Sequence, residues 1–215
     1  MLRRTKGAVA PELPPRTDVV RYVGLLPAER ALYEAERLRS IADLERAENG
    51  DKRFRVLAAM LRLRQLACNA RLVDPDATLP SSKLAAFLEV VDGLREGGHR
   101  ALVFSQFTSH LALVRGALDD RAVRYLYLDG STKVADRAAL VRRFQDGEAE
   151  LFLISLKAGG TGLNLTAAEN SDRLEDPGEH RGAGTSRSAA PRSPAVPRIS
   201  ASTELGSRMP ARSSA

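Results

Sequence analysis

One cysteine, Cys68, and three histidines, His99, His110 and His180, are the whole supply of thiol and imidazole in the 215 residues. A lone thiol excludes an internal disulfide, and in its apolar-patterned segment Cys68 is expected to be a small core residue rather than a nucleophile. The histidines have no metal-ligand spacing, so no metal site is assigned to them. No apolar run approaches the roughly 18 residues that a membrane span needs. The basic start, Met1 to Lys6, has no apolar stretch behind it, so neither a signal peptide nor an anchor is expected. No G-x-x-x-x-G-K-[ST] occurs, which excludes a Walker A phosphate grip within the chain. These absences point to a soluble chain in a reducing cytosol.

What is present suits one packed domain with appendages: 43% of the residues are hydrophobic and 28% charged. The 33 Lys and Arg against 27 Asp and Glu give a net charge of +6, compatible with a polyanionic partner without demanding one. Heavy use of Ala and Arg suggests a GC-rich, bacterial genome. Arg16 to Val23 alternates like a strand, and Pro27 sits where a first helical turn accepts it. A helix to about Glu48 is expected, with Leu32, Leu38, Ile41 and Leu44 as its stripe, ending at Asn49-Gly50. A second helix, about Lys52 to Ala70, spaces Val56, Leu57, Met60, Leu63 and Leu66 helically, so the two read as an antiparallel hairpin.

Beyond Pro80 the pattern alternates. A helix capped by Ser82 runs to about Glu96, and a buried strand follows at Ala101 to Phe107. The next helix spans about Ser109 to Leu118 and leads to a strand at Tyr125 to Leu128. A helix from about Val134 to Phe144 then leads to a strand at Leu151 to Leu156. Strands alternating with helices of this length predict an α/β fold with a parallel sheet covered on both faces. Ligand contacts in such sheets gather at strand ends, which here carry Ser105-Gln106, Asp129-Gly130-Ser131-Thr132, and Ser155 followed by Lys157 to Leu165. Gly159, Gly160 and Gly162 would let backbone amides approach a phosphate, with Lys157 adding charge. Taken alone, that loop reads first as a tight strand-to-helix turn, and Asp129 to Thr132 first as a turn with a helix cap. Past about Glu169 the chain is Ser, Ala, Arg, Pro and Gly with scattered apolar residues, and disorder is expected.

Taken in order, the strand-end loops resemble the C-terminal RecA-like helicase lobe of SWI/SNF-type ATPases in superfamily two. The resemblance rests on SSKL (81–84), LVFSQF (102–107), YLDGST (127–132), DR-x-x-LV-x-x-F (136–144) and ISLKAGGTGLNLTAA (154–168). Upstream, LRRTK (2–6), ELPPRT (12–17), LYEA (32–35) and LRLRQLACNARL (61–72) resemble the segment joining the two lobes. The resemblance implies an inter-lobe joining segment over 1–26, a helical hairpin protrusion over 27–73, and a partial helicase C-terminal domain over 81–168. The fold would be an incomplete RecA-like parallel sheet with flanking helices. It further implies that Ser155, Lys157, Gly130 and Arg137 lie at the DNA backbone and that Gly162 and Asn164 face ATP. Gln106 either lines the DNA track or orients its loop. Arg62 and Arg64 on the hairpin either touch phosphate or belong to a solvated face. The implied partner is double-stranded DNA, read without regard to sequence, in the cytoplasm and at the nucleoid if the cell is bacterial.

The family hydrolyses ATP with parts from two lobes, and ATP and Mg²⁺ are the cofactors of the complete motor. This chain lacks Walker A, the acidic metal-binding strand, and the arginine-bearing D-R-x-x-R-I-G-Q motif. It is therefore expected to be an inactive fragment that binds no nucleotide by itself and is missing ATPase lobe one. A non-catalytic DNA- or protein-binding module is the alternative. The stretch 169–215 is expected to be out of frame. Glu179 to Gly182 can be encoded as GAA CAC CGC GGT, which in a shifted frame reads Asn-Thr-Ala, part of the family phrase.

Overall fold

The computed structural model describes residues 17–47, 51–159, 170–174 and 198–203. Strand β1 (Thr17–Tyr22) leads to helices α1 (Pro27–Glu45) and α2 (Lys52–Leu66) and a 3-10 turn (Ala70–Leu72). The alternating region follows as α3 (Ser82–Glu96), β2 (Ala101–Ser105), α4 (Thr108–Asp119), β3 (Tyr125–Leu128), α5 (Val134–Gln145), β4 (Leu151–Ser155) and the single turn α6 (Leu156–Gly159). Every helix and strand expected up to residue 156 is therefore present. The cap of α3 is Ser81 rather than Ser82, since Ser81 Oγ accepts from Leu84 N at 3.2 Å. Gly98, at φ +66°, supplies the left-handed residue that turns the chain out of α3 toward β2.

The parallel expectation holds where the helices cover the sheet. β2 and β3 flank β4 in parallel, with Ser105 opposite Ser155 and Leu128 opposite Ile154. Side chains alternate by two along each strand, so Ala101, Val103, Leu151 and Leu153 face one side and Leu102, Phe152 and Ile154 the other. The first face is packed by Phe87, Leu88 and Val91 of α3 and Leu111, Val114 and Leu118 of α4. The second is packed by Phe144 of α5, whose ring lies 5.4 Å from that of Phe152. Continuous apolar strands such as LFLIS are what burial on both faces requires, and all five residues of β4 are buried.

The stretch beyond 169, expected to lack order, contributes two strands, β5 (Asn170–Arg173) and β6 (Arg198–Thr203). β5 pairs with β2 in parallel, and β6 pairs antiparallel with both β5 and β1, giving the order β1-β6-β5-β2-β4-β3. Ladder hydrogen bonds are made by backbone, so the open edge of β2 can be covered by a sequence without strand character. Leu174 anchors the segment: its N–H donates to Phe104 O at 3.0 Å and its side chain is fully buried in the first core. The rest of 169–215 lies outside the described residues.

The hairpin departs from its expected stripe. Leu66 is buried and Leu44 and Leu63 are half-buried, but Leu38, Leu57 and Met60 are 60%, 64% and 56% exposed, and Leu32, Ile41 and Val56 are exposed too. Between the helices Glu36 pairs with Arg62 at 2.6 Å, and Ser40 and Ala59 are half-buried. Periodicity identified both helices but not which face each would bury. At the base, Glu29 is 7% exposed; its Oε2 accepts from Leu26 N at 2.9 Å and its Oε1 from Ser82 N at 3.1 Å. One carboxylate thus joins the hairpin's entry to the start of α3. Ser81 Oγ donates to Cys68 O at 3.0 Å beside it, and Cys68 is buried as expected. Among the described residues no helix is long and apolar enough to cross a membrane.

Replacing Glu29 by Ala removes the acceptor of two part-buried N–H groups and is expected to lower unfolding free energy by about 1 kcal/mol. Leu38→Ala, on the exposed side, should stay within about 0.5 kcal/mol of the parent. Urea titration followed by circular dichroism measures both.

Candidate functional site

The parallel register brings the carboxyl ends of β2, β4 and β3 to one end of the sheet, because Ser105, Ser155 and Leu128 finish within one residue of a common line. Each end then makes a polar turn. At β2, Ser105 Oγ accepts from Phe107 N at 3.0 Å. Gln106 Oε1 accepts from Arg64 Nη2 of α2 at 2.8 Å. Of the two roles open to Gln106, this contact favours orientation: the side chain ties the strand end to the hairpin. Arg62 and Arg64 both have partners within the chain, Glu36 and Gln106.

At β3 the loop is organised around Asp129. Its Oδ1 accepts from Ser131 N at 2.9 Å and from Ser131 Oγ at 2.6 Å, while its Oδ2 accepts from Tyr127 Oη at 2.8 Å. Its own N–H donates to Thr132 Oγ1 at 3.1 Å. The Ser131 and Tyr127 hydroxyls hold the Asp129 carboxyl below its ordinary range. The loop bonds that carboxylate makes are therefore in place above about pH 3.9, the ordinary Asp value, and weaken as pH falls through the lower folded value. Burial, then the bond to Asp129, pushes Tyr127 up to about 12, so the phenol keeps its proton and donates. Arg137 Nε donates to Thr132 O at 3.1 Å and Nη2 to Asp129 O at 3.5 Å. Arg137 thereby braces the loop's carbonyls from the first turn of α5.

Gly130 lies at the exposed tip of this loop. A Cβ placed there would meet nothing within 4 Å, and its φ lies outside the left-handed region. Nothing inside the fold requires glycine at 130. Gly159 is the opposite case, because a Cβ there would approach the Phe104 ring to 3.2 Å and Ile154 to 3.5 Å. Its missing side chain serves internal packing.

At β4, Ser155 is 2% exposed and its Oγ accepts from Ala158 N at 3.3 Å, capping α6. The hydroxyl faces its own loop rather than solvent. Lys157 is exposed on the turn that follows. Gly162 and Asn164 lie outside the described residues. Of the expected DNA-facing positions, the structure places Gly130 and Lys157 at the surface and uses Arg137, Ser155 and Gln106 to hold the loops. The sequence reading missed Tyr127 and Asp129 as organisers. Their signal was present in the i, i+2 spacing that puts a phenol and a carboxylate on one side of a strand end.

The opposite end of the sheet carries a groove of about 770 Å³ lined by Arg95, Arg100, Arg124, Glu96 and Glu150 among others. Within it Glu150 pairs with Arg95 at 2.9 Å and with Arg124 at 3.6 Å, and it carries none of the strand-end loops. Among the described residues no group of three His, Cys, Asp or Glu could hold a metal ion.

Replacing Gly159 by Ala crowds the Phe104 ring, and the overpacking is expected to outweigh the helix gain of alanine for a net cost of about 1 kcal/mol of stability. Gly130→Ala should leave the thermal midpoint unchanged, as differential scanning calorimetry of the two variants would reveal.

The helicase conserved C-terminal domain family matches residues 82–170. The chain is 35% identical over 179 residues to Chromodomain-helicase-DNA-binding protein 1-like of Danio rerio, covering 79% of this chain and 17% of that protein. It is 32% identical over 170 residues to an uncharacterized ATP-dependent helicase of Mycoplasma pneumoniae, covering 79% of this chain and 16% of that protein. It is also 32% identical over 185 residues to the chromatin structure-remodeling complex subunit snf21 of Schizosaccharomyces pombe, covering 79% and 15%. The chain thus spans less than a fifth of the length of each. Among solved structures, the Sulfolobus solfataricus SWI2/SNF2 ATPase C-terminal domain superposes with a TM-score of 0.66 at 22% identity, covering 72% of this chain and 70% of that one. The core of the same ATPase in complex with dsDNA superposes at 0.65 with 19% identity, covering 71% and 33%. Over residues 82–170 the chain is a helicase conserved C-terminal domain with a RecA-like fold, homologous to the corresponding lobe of SNF2-family ATPases.

Proposed function

We propose that this chain is the second-lobe portion of a DNA-translocating SNF2-type ATPase, and that its strand-end loops contact the backbone of double-stranded DNA without regard to sequence. The observation that carries this reading is Gly130, exposed at the tip of a loop whose other members are hydrogen-bonded inward, at a position where no internal contact calls for glycine. A residue without a side chain keeps the adjacent backbone amides open to a phosphate. Lys157, on the neighbouring loop, adds an exposed charge. Ser155, Arg137 and Gln106 act by fixing the loops. The complex of a Sulfolobus SWI2/SNF2 core with dsDNA supports DNA as the partner.

In this reading ATP binds between this lobe and a first lobe, with Gly162 and Asn164 turned toward the nucleotide. The phosphate grip and Mg²⁺ then belong to the first lobe, since no G-x-x-x-x-G-K-[ST] occurs in this sequence. The chain alone binds DNA but turns over no ATP, and it works where DNA is, at the nucleoid in a bacterial cell. The second reading, a protein-binding module, is favoured by one observation: Phe54, Leu57 and Leu38, on the hairpin, are 76%, 64% and 60% exposed, which is costly surface unless something covers it.

Fluorescence anisotropy with two duplexes of unrelated sequence tests the main reading. Equal affinities for both are expected, falling linearly in log–log form with salt, with the slope reduced by about one in Lys157→Ala. No binding at about 50 mM salt, or a strong preference for one duplex, refutes it.

A further inference from the structure

Resting on the DNA-contact reading of the Asp129–Thr132 loop, we propose that Tyr127 is a positioning residue for that loop, holding it in its binding geometry through Asp129. β3 places Tyr125 and Tyr127 on one face, where both pack against the first core. From α4, the Arg115 guanidinium stacks over both rings, 4.7 Å from the centre of Tyr127 and 5.9 Å from that of Tyr125. The two phenols then diverge in use. The Tyr125 oxygen accepts from Arg115 Nε at 3.4 Å, away from the loop. Tyr127 donates to Asp129 Oδ2 at 2.8 Å, and the other oxygen of that carboxylate takes the N–H and hydroxyl of Ser131.

Tyr127 thereby sets the rotation of the Asp129 carboxylate. With Oδ2 fixed on the phenol, Oδ1 faces the loop backbone and fixes the Ser131 amide next to the bare Gly130. Without the phenol, the carboxylate turns about its last bond and the loop loses that constraint. The ring is in turn held by packing and by Arg115, so the loop's geometry is anchored in the rigid body of the lobe. Rigid support of this kind matters for a loop that contacts its ligand mainly through backbone, because a backbone amide cannot adjust by changing rotamer.

The test uses the full chain and four variants: Tyr127→Phe, Tyr125→Phe, Asp129→Ala and the Tyr127→Phe/Asp129→Ala double variant. Tyr127→Phe keeps the ring, its packing and the Arg115 stack while removing the hydroxyl, so its thermal midpoint should match the parent. Without DNA, the Ser131 amide should change its chemical shift and exchange about tenfold faster with solvent in Tyr127→Phe, and remain unchanged in Tyr125→Phe. Affinity for duplex DNA should fall about fivefold in Tyr127→Phe. The double variant should bind no more weakly than Asp129→Ala alone, since the phenol acts only through that carboxylate. An unchanged Ser131 amide in Tyr127→Phe, or additive losses in the double variant, overturns the positioning role. A parent chain that fails to bind DNA overturns the DNA reading instead, and the Ser131 amide then still decides whether Tyr127 positions the loop.

Discussion

The in-register parallel ladder of β2, β4 and β3 is the constraint from which the rest of the lobe follows. Because Ser105, Ser155 and Leu128 end near a common line, three turns separated in sequence by more than twenty residues emerge side by side. Slipping one strand by a single residue would exchange its two faces and send Phe152 and Ile154 of β4 toward α3 and α4. The two cores, one under α3 and α4 and the other under α5, forbid that slip. Functional geometry at the loops is therefore a consequence of side-chain alternation in the strands.

The loops spend most of their polar groups on themselves. Arg137, a natural candidate for phosphate, donates to the carbonyls of Thr132 and Asp129; Ser155 caps α6; Gln106 accepts from Arg64. Positive charge near a strand end is thus divided between bracing and display, and Lys157 falls on the display side. A loop held this firmly can offer backbone N–H groups at fixed positions, which suits recognition of a regular, repetitive phosphate array. The Arg64–Gln106 contact extends the bracing to the hairpin and gives α2 a defined attitude to the strand ends.

Much of this was legible in the sequence. LVFSQF, YLYLDGST and LFLISLKAGG each carry an apolar run that stops at a polar or glycine-rich turn, and that pattern fixed both strand identity and the end where the loops gather. What the sequence concealed was the use of individual side chains. The word YLDGST puts Tyr127 and Asp129 on one side of a strand end but does not say that they bond, since that depends on how the loop beyond turns the Asp129 carboxylate. The glycines of 159–162 look alike in sequence, yet Gly159 answers to the Phe104 ring. The hairpin's leucine stripe was readable as helix but not as exposed surface, because burial is decided by a partner, which a helical period does not name. The strands β5 and β6 were illegible for a related reason: their pairing comes from backbone at an open edge, which leaves no pattern in side chains.

The central claim is that the carboxyl ends of the parallel strands form the DNA-facing surface. Mapping a short DNA duplex onto the backbone amides of the chain by nuclear magnetic resonance tests it most directly. The account predicts that the perturbed amides cluster at Gln106, Gly130 to Thr132 and Lys157. Perturbation centred instead on His99, Arg100, Arg124 and Glu150, at the other end of the sheet, would contradict it.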